Sequence, residues 1–267
     1  MKKELRFFYI FLIAICTISY SISILVTQLG ILVFGTPIFM LIYGVAGYSP
    51  AIAAYFTIKR YGGQKNELKL FMRSIINMKQ SVPMYVYTIC TPIILWITAY
   101  IVYRTIGGEG DLLLFRKPIY SLIWLVPVMI IGGGIEEIGW RGYLLPKLLE
   151  KFSPTLSTLL IGGVWAIWHL PMWLVVGAPQ QNFEFITFAI SCMATSFIMT
   201  PLYCKTRSIW LCILLHSMVN ACFYVFTVAI DSNYLTSITT LFMAIVLFYI
   251  SMNIFEIKKR NIMVEEN

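Results

Sequence analysis

Apolar runs of about twenty residues recur along the whole chain, separated by short segments that hold nearly all of its charge. A helix rises about 1.5 Å per residue, so each run is long enough to cross the ~30 Å hydrocarbon core of a bilayer. In lipid every backbone N–H and C=O must be satisfied within the protein, which leaves helices and closed barrels as the spanning structures. The runs are continuously apolar rather than alternating, which argues against a barrel. Eight of them read as spans, at about 7–27, 35–58, 82–103, 119–149, 154–176, 185–203, 208–230 and 235–255. Composition agrees, with 12% charged and 59% hydrophobic residues against about 25% charged in soluble domains. The expected fold is all-α: a polytopic membrane protein, a bundle of about eight transmembrane helices, forming one membrane domain over 1–267 with no internal repeat.

The net charge of +8 suggests nucleic acid until the charges are placed. They fall in the short loops, and with eight spans sixteen Lys and Arg lie on the side of the termini. Three, Arg104, Arg116 and Lys117, lie opposite. That is a membrane-orientation signal and puts both termini in the cytoplasm of a multi-pass cell-membrane protein. No nucleic-acid partner is implied. The start, Met1-Lys2-Lys3-Glu4-Leu5-Arg6 before a long apolar run, reads as an uncleaved first span. The basic segment 59–79 holds Leu68, Leu70, Phe71, Ile75 and Ile76, which suggests a short amphipathic piece at the membrane surface. The loop after span 3 carries Gly107, Gly108 and Gly110, and the last span is followed by Lys258, Lys259 and Arg260. The six cysteines are scattered in or beside apolar runs with no CxxC, and read as buried free thiols.

Against this background span 4 stands out. It contains Glu136, Glu137 and Arg141. Each such residue near the bilayer centre costs about 2.5–3.5 kcal/mol on the mildest scale, so an intramembrane ionisable residue reads as functional by default. Glu137 and Arg141 are four apart and share one helix face, where they pair. Glu136 is rotated by about 100° and is left as the free carboxylate. Gly132-Gly133-Gly134 just before them marks a kink or a close-packing point. A purely structural Glu–Arg clamp between helices is the competing reading. The two histidines of the chain, His169 and His216, also fall inside apolar spans, as does Asn220, four residues after His216. Trp165 precedes His169 by four and would stack beside it. Isolated polar groups facing lipid would be costly, so spans 4, 5 and 7 are expected to meet around one polar cavity.

With these motifs the chain resembles the CAAX prenyl protease and bacteriocin-processing group, also called the Abi family of intramembrane endopeptidases. The family's motifs are a Glu-Glu-x-x-x-Arg helix, a Phe-x-x-x-His helix, and a later His followed four on by Asn or Asp. Here they stand as Glu136-Glu137-x-x-x-Arg141, Trp165-x-x-x-His169 and His216-x-x-x-Asn220. The resemblance covers about residues 120–225, and Trp165 departs from Phe while keeping the aromatic character. The family's eight-helix bundle agrees with the span count above.

Peptide hydrolysis needs an activated water, a stabilised oxyanion and a proton for the leaving amine. Glu136 suits the base, with His169 sharing the water. His216 and Asn220, on one helix face, suit an oxyanion hole. Glu137, Arg141 and Trp165 would support the site. The resemblance implies the same assignment: a glutamate-dependent intramembrane protease without a cofactor, acting on a peptide or a lipid-modified protein. Three other readings stay open. Glu136, His169 and His216 are able to ligate zinc, although no HExxH is present. A non-proteolytic scaffold or bacteriocin-immunity protein would tolerate loss of motif residues, whereas this chain has them all. A proton-coupled transporter would also bury Glu and His, but would be expected to show two related halves.

Overall fold

A computed structural model describes residues 2–62, 66–106, 113–227 and 233–255. Gly107, Gly108, Gly110 and the basic tail at Lys258, Lys259 and Arg260 lie outside these residues. Among the described residues every regular element is a helix, apart from one isolated antiparallel bridge between Phe115 and Phe226. Five helical segments are long and apolar enough to cross a membrane: α1 (Lys2–Gln28), α5 (Val82–Thr105), the Pro154–Leu174 segment that contains α9 (Pro154–His169), α10 (Phe185–Thr206) and α12 (Tyr234–Ile254). Two bent pairs qualify when each is taken as one span. The remaining long apolar helix, α11 (Ile209–Val225), has 17 residues. That makes it about 25 Å long, just short of the hydrocarbon thickness. By length and composition the spans therefore number five to seven. The packing is that of a protein in lipid: Ile13 (60%), Ile123 (75%) and Phe242 (64%) are exposed while charged and polar groups are buried.

The breaks are where the structure departs from the plain span reading. The second run is not one helix but α2 (Pro37–Gly47) and α3 (Ser49–Tyr61), bent by 50°. Pro50 falls in the first turn of α3, where a missing N–H is tolerated. The fourth run bends by 45° between α6 (Leu122–Gly132) and Gly134. It continues as a single 3₁₀ turn, the short α7 (Glu137–Gly139), a π turn at Trp140–Leu144 and α8 (Leu145–Leu149). Pro146 has no N–H to offer the carbonyl four residues back, which disturbs the ladder there. π turns recur at functional sites, and this one carries Arg141. The fifth run starts with Ser153, whose Oγ accepts from the Leu156 N–H, and Pro154. Its α-helix stops at His169 because Pro171 follows, and a 3₁₀ turn, Leu170–Leu174, replaces the rest. The seventh run stops at Val225 rather than near 230, since Phe226 turns extended and its neighbours pair with 113–118.

The basic segment does form a short helix, α4 (Glu67–Ile75). Leu68 and Phe71 pack on the core, but Leu70 faces outward. All six cysteines are free, yet Cys90 is exposed and Cys204 is half-buried rather than buried. The core sits where α7 crosses α3 and packs on α11, and where α9 packs on α10. A Cβ on Gly139 would overlap the Pro50 backbone. Only glycine allows α7 to approach α3 this closely, the small-residue contact that membrane helices use in place of a hydrophobic drive.

Candidate active site

The break after α6 aims two neighbouring carboxylates at different helices. Both are buried, Glu137 completely. Glu137 receives Arg141 Nη1 at 2.9 and 2.8 Å, the four-residue pair expected from the sequence. Its Oε1 also lies 2.8 Å from His216 Nδ1 on α11. A carboxylate only accepts, so that ring nitrogen is the donor. Arg141 reaches α10 as well, donating from Nη2 to Ser196 Oγ at 2.8 Å. The result is a chain of charge-assisted contacts, Ser196–Arg141–Glu137–His216, that ties three helices together with no exposure at Arg141 or Glu137.

Glu136 has a different set of neighbours. Its Oε2 accepts from Trp165 Nε1 at 2.9 Å and lies 4.0 Å from His169 Nε2. His169 Nδ1 is 2.8 Å from the Trp165 carbonyl. It donates there, so in the neutral ring Nε2 carries no proton and faces Glu136 as an acceptor. Trp165 meets His169 edge to face rather than stacked as expected, and it holds the group together by further contacts. Its indole ring lies 5.5 Å from the His169 ring and 5.1 Å from the His216 ring, with the Arg141 guanidinium 5.1 Å from its centroid.

The third pair converges on the bend. A Cβ on Gly133 would stand 2.6 Å from Asn220 Nδ2 and 3.2 Å from His216 Nε2. Both side chains therefore point at one small volume that only a glycine leaves open. This volume belongs to a cavity of about 390 Å³. Glu136, Trp165, His169, His216 and Asn220 line its deep end, while Met40, Met129 and Phe188 are among its apolar walls. The seven motif residues are thus brought together, five at the cavity and Glu137 and Arg141 behind it. The cavity is wider than the junction of three spans that the sequence implies, because α2, α5 and α10 also contribute walls.

Ser196 escaped the sequence reading. A lone serine in an apolar helix usually bonds its own backbone, and Ser196 does donate to the Cys192 carbonyl at 2.9 Å. The available signal was the repeated Ser and Thr at 191, 195, 196 and 200. Thr200 likewise bonds across helices, to Thr158 at 2.9 Å. The zinc reading would use Glu136, His169 and His216. Among the described residues no three His, Cys, Asp or Glu side chains are grouped as metal ligands; His216 Nδ1 is held by Glu137, which leaves its Nε2 free.

Fold and site together define a polytopic all-α membrane protein with a buried ionised cluster at the base of an apolar cavity. Residues 118–222, which hold all seven motif residues, match the family model of Rce1-like type II CAAX prenyl endopeptidases. A curated relative, CAAX prenyl protease 2 of Methanococcus maripaludis, is 29% identical over 199 residues, covering 68% of this chain and 71% of the relative. Over its motif-bearing part the chain is thus similar to the CAAX prenyl endopeptidases.

Proposed function

We propose that the protein is an intramembrane endopeptidase that cleaves a peptide bond with a water activated by Glu136. The observation that carries this reading is the pair Glu136 Oε2 and His169 Nε2, 4.0 Å apart at the cavity wall. That gap is too long for a direct hydrogen bond. It suits one water held by both groups. The water oxygen attacks the scissile carbonyl while its proton passes to Glu136. The oxyanion forms against Asn220 Nδ2–H, which donates in any state, and against His216 Nε2, which donates when the ring carries both protons. On collapse the C–N bond breaks and Glu136 returns its proton to the leaving amine, acting as base and then acid. Glu137, Arg141 and Trp165 hold the reacting groups in place. The likeness to a prenyl protease and the apolar cavity walls support a polypeptide substrate bearing a lipid or an apolar segment. The Lys and Arg asymmetry supports a single domain in the cell membrane with both termini cytoplasmic.

The test is cleavage of a quenched fluorescent peptide library, with and without a farnesylated cysteine, by purified wild type, Glu136→Ala and His216→Ala in detergent. Activity that Glu136→Ala abolishes and chelators leave untouched is the expected result. Loss on chelation with recovery on adding zinc would replace it with a metalloprotease. If nothing is cut and both variants keep a cellular phenotype such as bacteriocin resistance, the protein is a scaffold.

A further inference from the structure

The cavity extends from the site toward one end of the bundle, and it is not the basic end. The N-terminus of α1 lies with the C-terminus of α3, since the Arg60 guanidinium stands 5.3 Å from the Phe7 ring. The end of the fourth run lies there too, because the Tyr143 ring packs 4.8 Å from that of Phe8. Ser208 at the start of α11 bonds to the Asn77 carbonyl at 3.4 Å. This end gathers Lys2, Lys3, Arg6, Lys59, Arg60 and Lys151. The opposite end gathers the C-terminus of α1, bonded from Gln28 to the Leu174 carbonyl, and residues 113–118, bonded to the end of α11. Its described Lys and Arg are Arg104, Arg116 and Lys117.

Between the site and the basic end the interior is closed. Tyr143, Leu144, Leu145, Leu149, Leu211 and Cys212 are all buried beyond the Glu137–Arg141 pair. Toward the other end the cavity continues past Phe34, Gln180, Phe183, Phe223 and Tyr224, which belong to the connections and helix ends there. Short loops rich in Lys and Arg stay in the cytoplasm. We propose that the cavity opens on the non-cytoplasmic face. Its substrate is then a polypeptide whose scissile segment has already been exported and is held near the outer leaflet by an apolar anchor, for which the aromatic rim offers a fit. The sidedness stands by itself; the substrate class rests on the protease reading above.

Introduced-cysteine reporters separate the two. Asn182 and Arg116 are exposed at the proposed outer end and Lys151 at the basic end. Asn182→Cys, Arg116→Cys and Lys151→Cys are treated in intact cells and after permeabilisation with a membrane-impermeant thiol reagent, with wild type as background for the native cysteines. The expected pattern is labelling of the first two in intact cells and of the third only after permeabilisation. The reverse pattern, or labelling of all three alike, overturns the proposal. Gln180→Cys lines the cavity, and a bulky impermeant disulfide-forming reagent applied from outside should abolish cleavage, with recovery on reduction. Cleavage that survives complete modification means the substrate enters elsewhere. If the labelling pattern holds but wild type cleaves nothing, the protease reading fails and the outward mouth remains.

Discussion

Glu136 and Glu137 are consecutive residues of one broken helix, both buried, and they sit in opposite kinds of surroundings. Glu137 is saturated: a guanidinium on one side, an imidazole on the other, and a second helix anchored through Ser196. Glu136 has one firm donor, Trp165, and beyond it a histidine too far for a bond and an open cavity. A buried charge held by two partners is costly to disturb, and Glu137 lies off the cavity, out of a substrate's reach. A carboxylate with one tether keeps acceptor capacity free for a proton in transit. The difference separates scaffold from reagent within two residues, and mutations at each should divide the same way.

The largest effect is expected at the reagent. Glu136→Gln keeps the shape and the oxygen that accepts from Trp165 but takes no proton. Turnover should fall by about 10²–10⁴-fold, with the thermal midpoint in detergent close to wild type. A Gln variant that cleaves normally but unfolds early would reverse the comparison and place the structural charge at Glu136.

At the scaffold the order is inverted. Arg141→Ala leaves Glu137 buried without its cation, and breaking a buried pair from one side costs about 3–5 kcal/mol. The expected outcome is a lowered unfolding midpoint in a detergent-stability assay, with any loss of activity following the loss of folded protein. Ser196→Ala tests the far end of the same chain. It should lower stability by about 1.5–3 kcal/mol, the range for a hydrogen bond to a charged group. If Arg141→Ala folds as wild type does, the Glu137 cluster is not the clamp that its geometry indicates.

How far this division was legible beforehand depends on the kind of signal. The Glu137–Arg141 pair follows from a spacing of four, which even a run broken by 3₁₀ and π turns preserves. Spans were readable because hydropathy needs only local composition. Their breaks were half readable: Gly132-Gly133-Gly134 announced a bend, whereas Gly47 and Pro50 beside the 50° turn at Tyr48 are residues that unbroken membrane helices also carry. Contacts between runs left no local mark. Ser196 is one small polar residue among several in α10, and its choice of Arg141 depends on how α10 packs. The walls from α2, α5 and α10 were invisible for the same reason: an apolar side chain facing a cavity and one facing lipid look alike in sequence.

Trp165 sharpens the comparison further, because it touches both sides of it. Its N–H binds Glu136 and its ring lies against Arg141 and His216. Trp165→Phe removes the donor while keeping most of the ring, so the scaffold contacts largely persist and the tether on Glu136 is lost. A hydrogen bond to a charged group contributes about 1.5–3 kcal/mol. Were that all used to hold Glu136 against the substrate carbonyl, turnover would fall by about ten- to hundred-fold. The unfolding midpoint should move little, and KM should stay near the wild-type value, since the cavity walls that bind substrate are unchanged. A loss confined to KM would instead make Trp165 part of the binding surface. A fall in stability without a fall in turnover per folded molecule would assign it to the clamp. In that case the Trp165 hydrogen bond would not be what positions Glu136 for turnover.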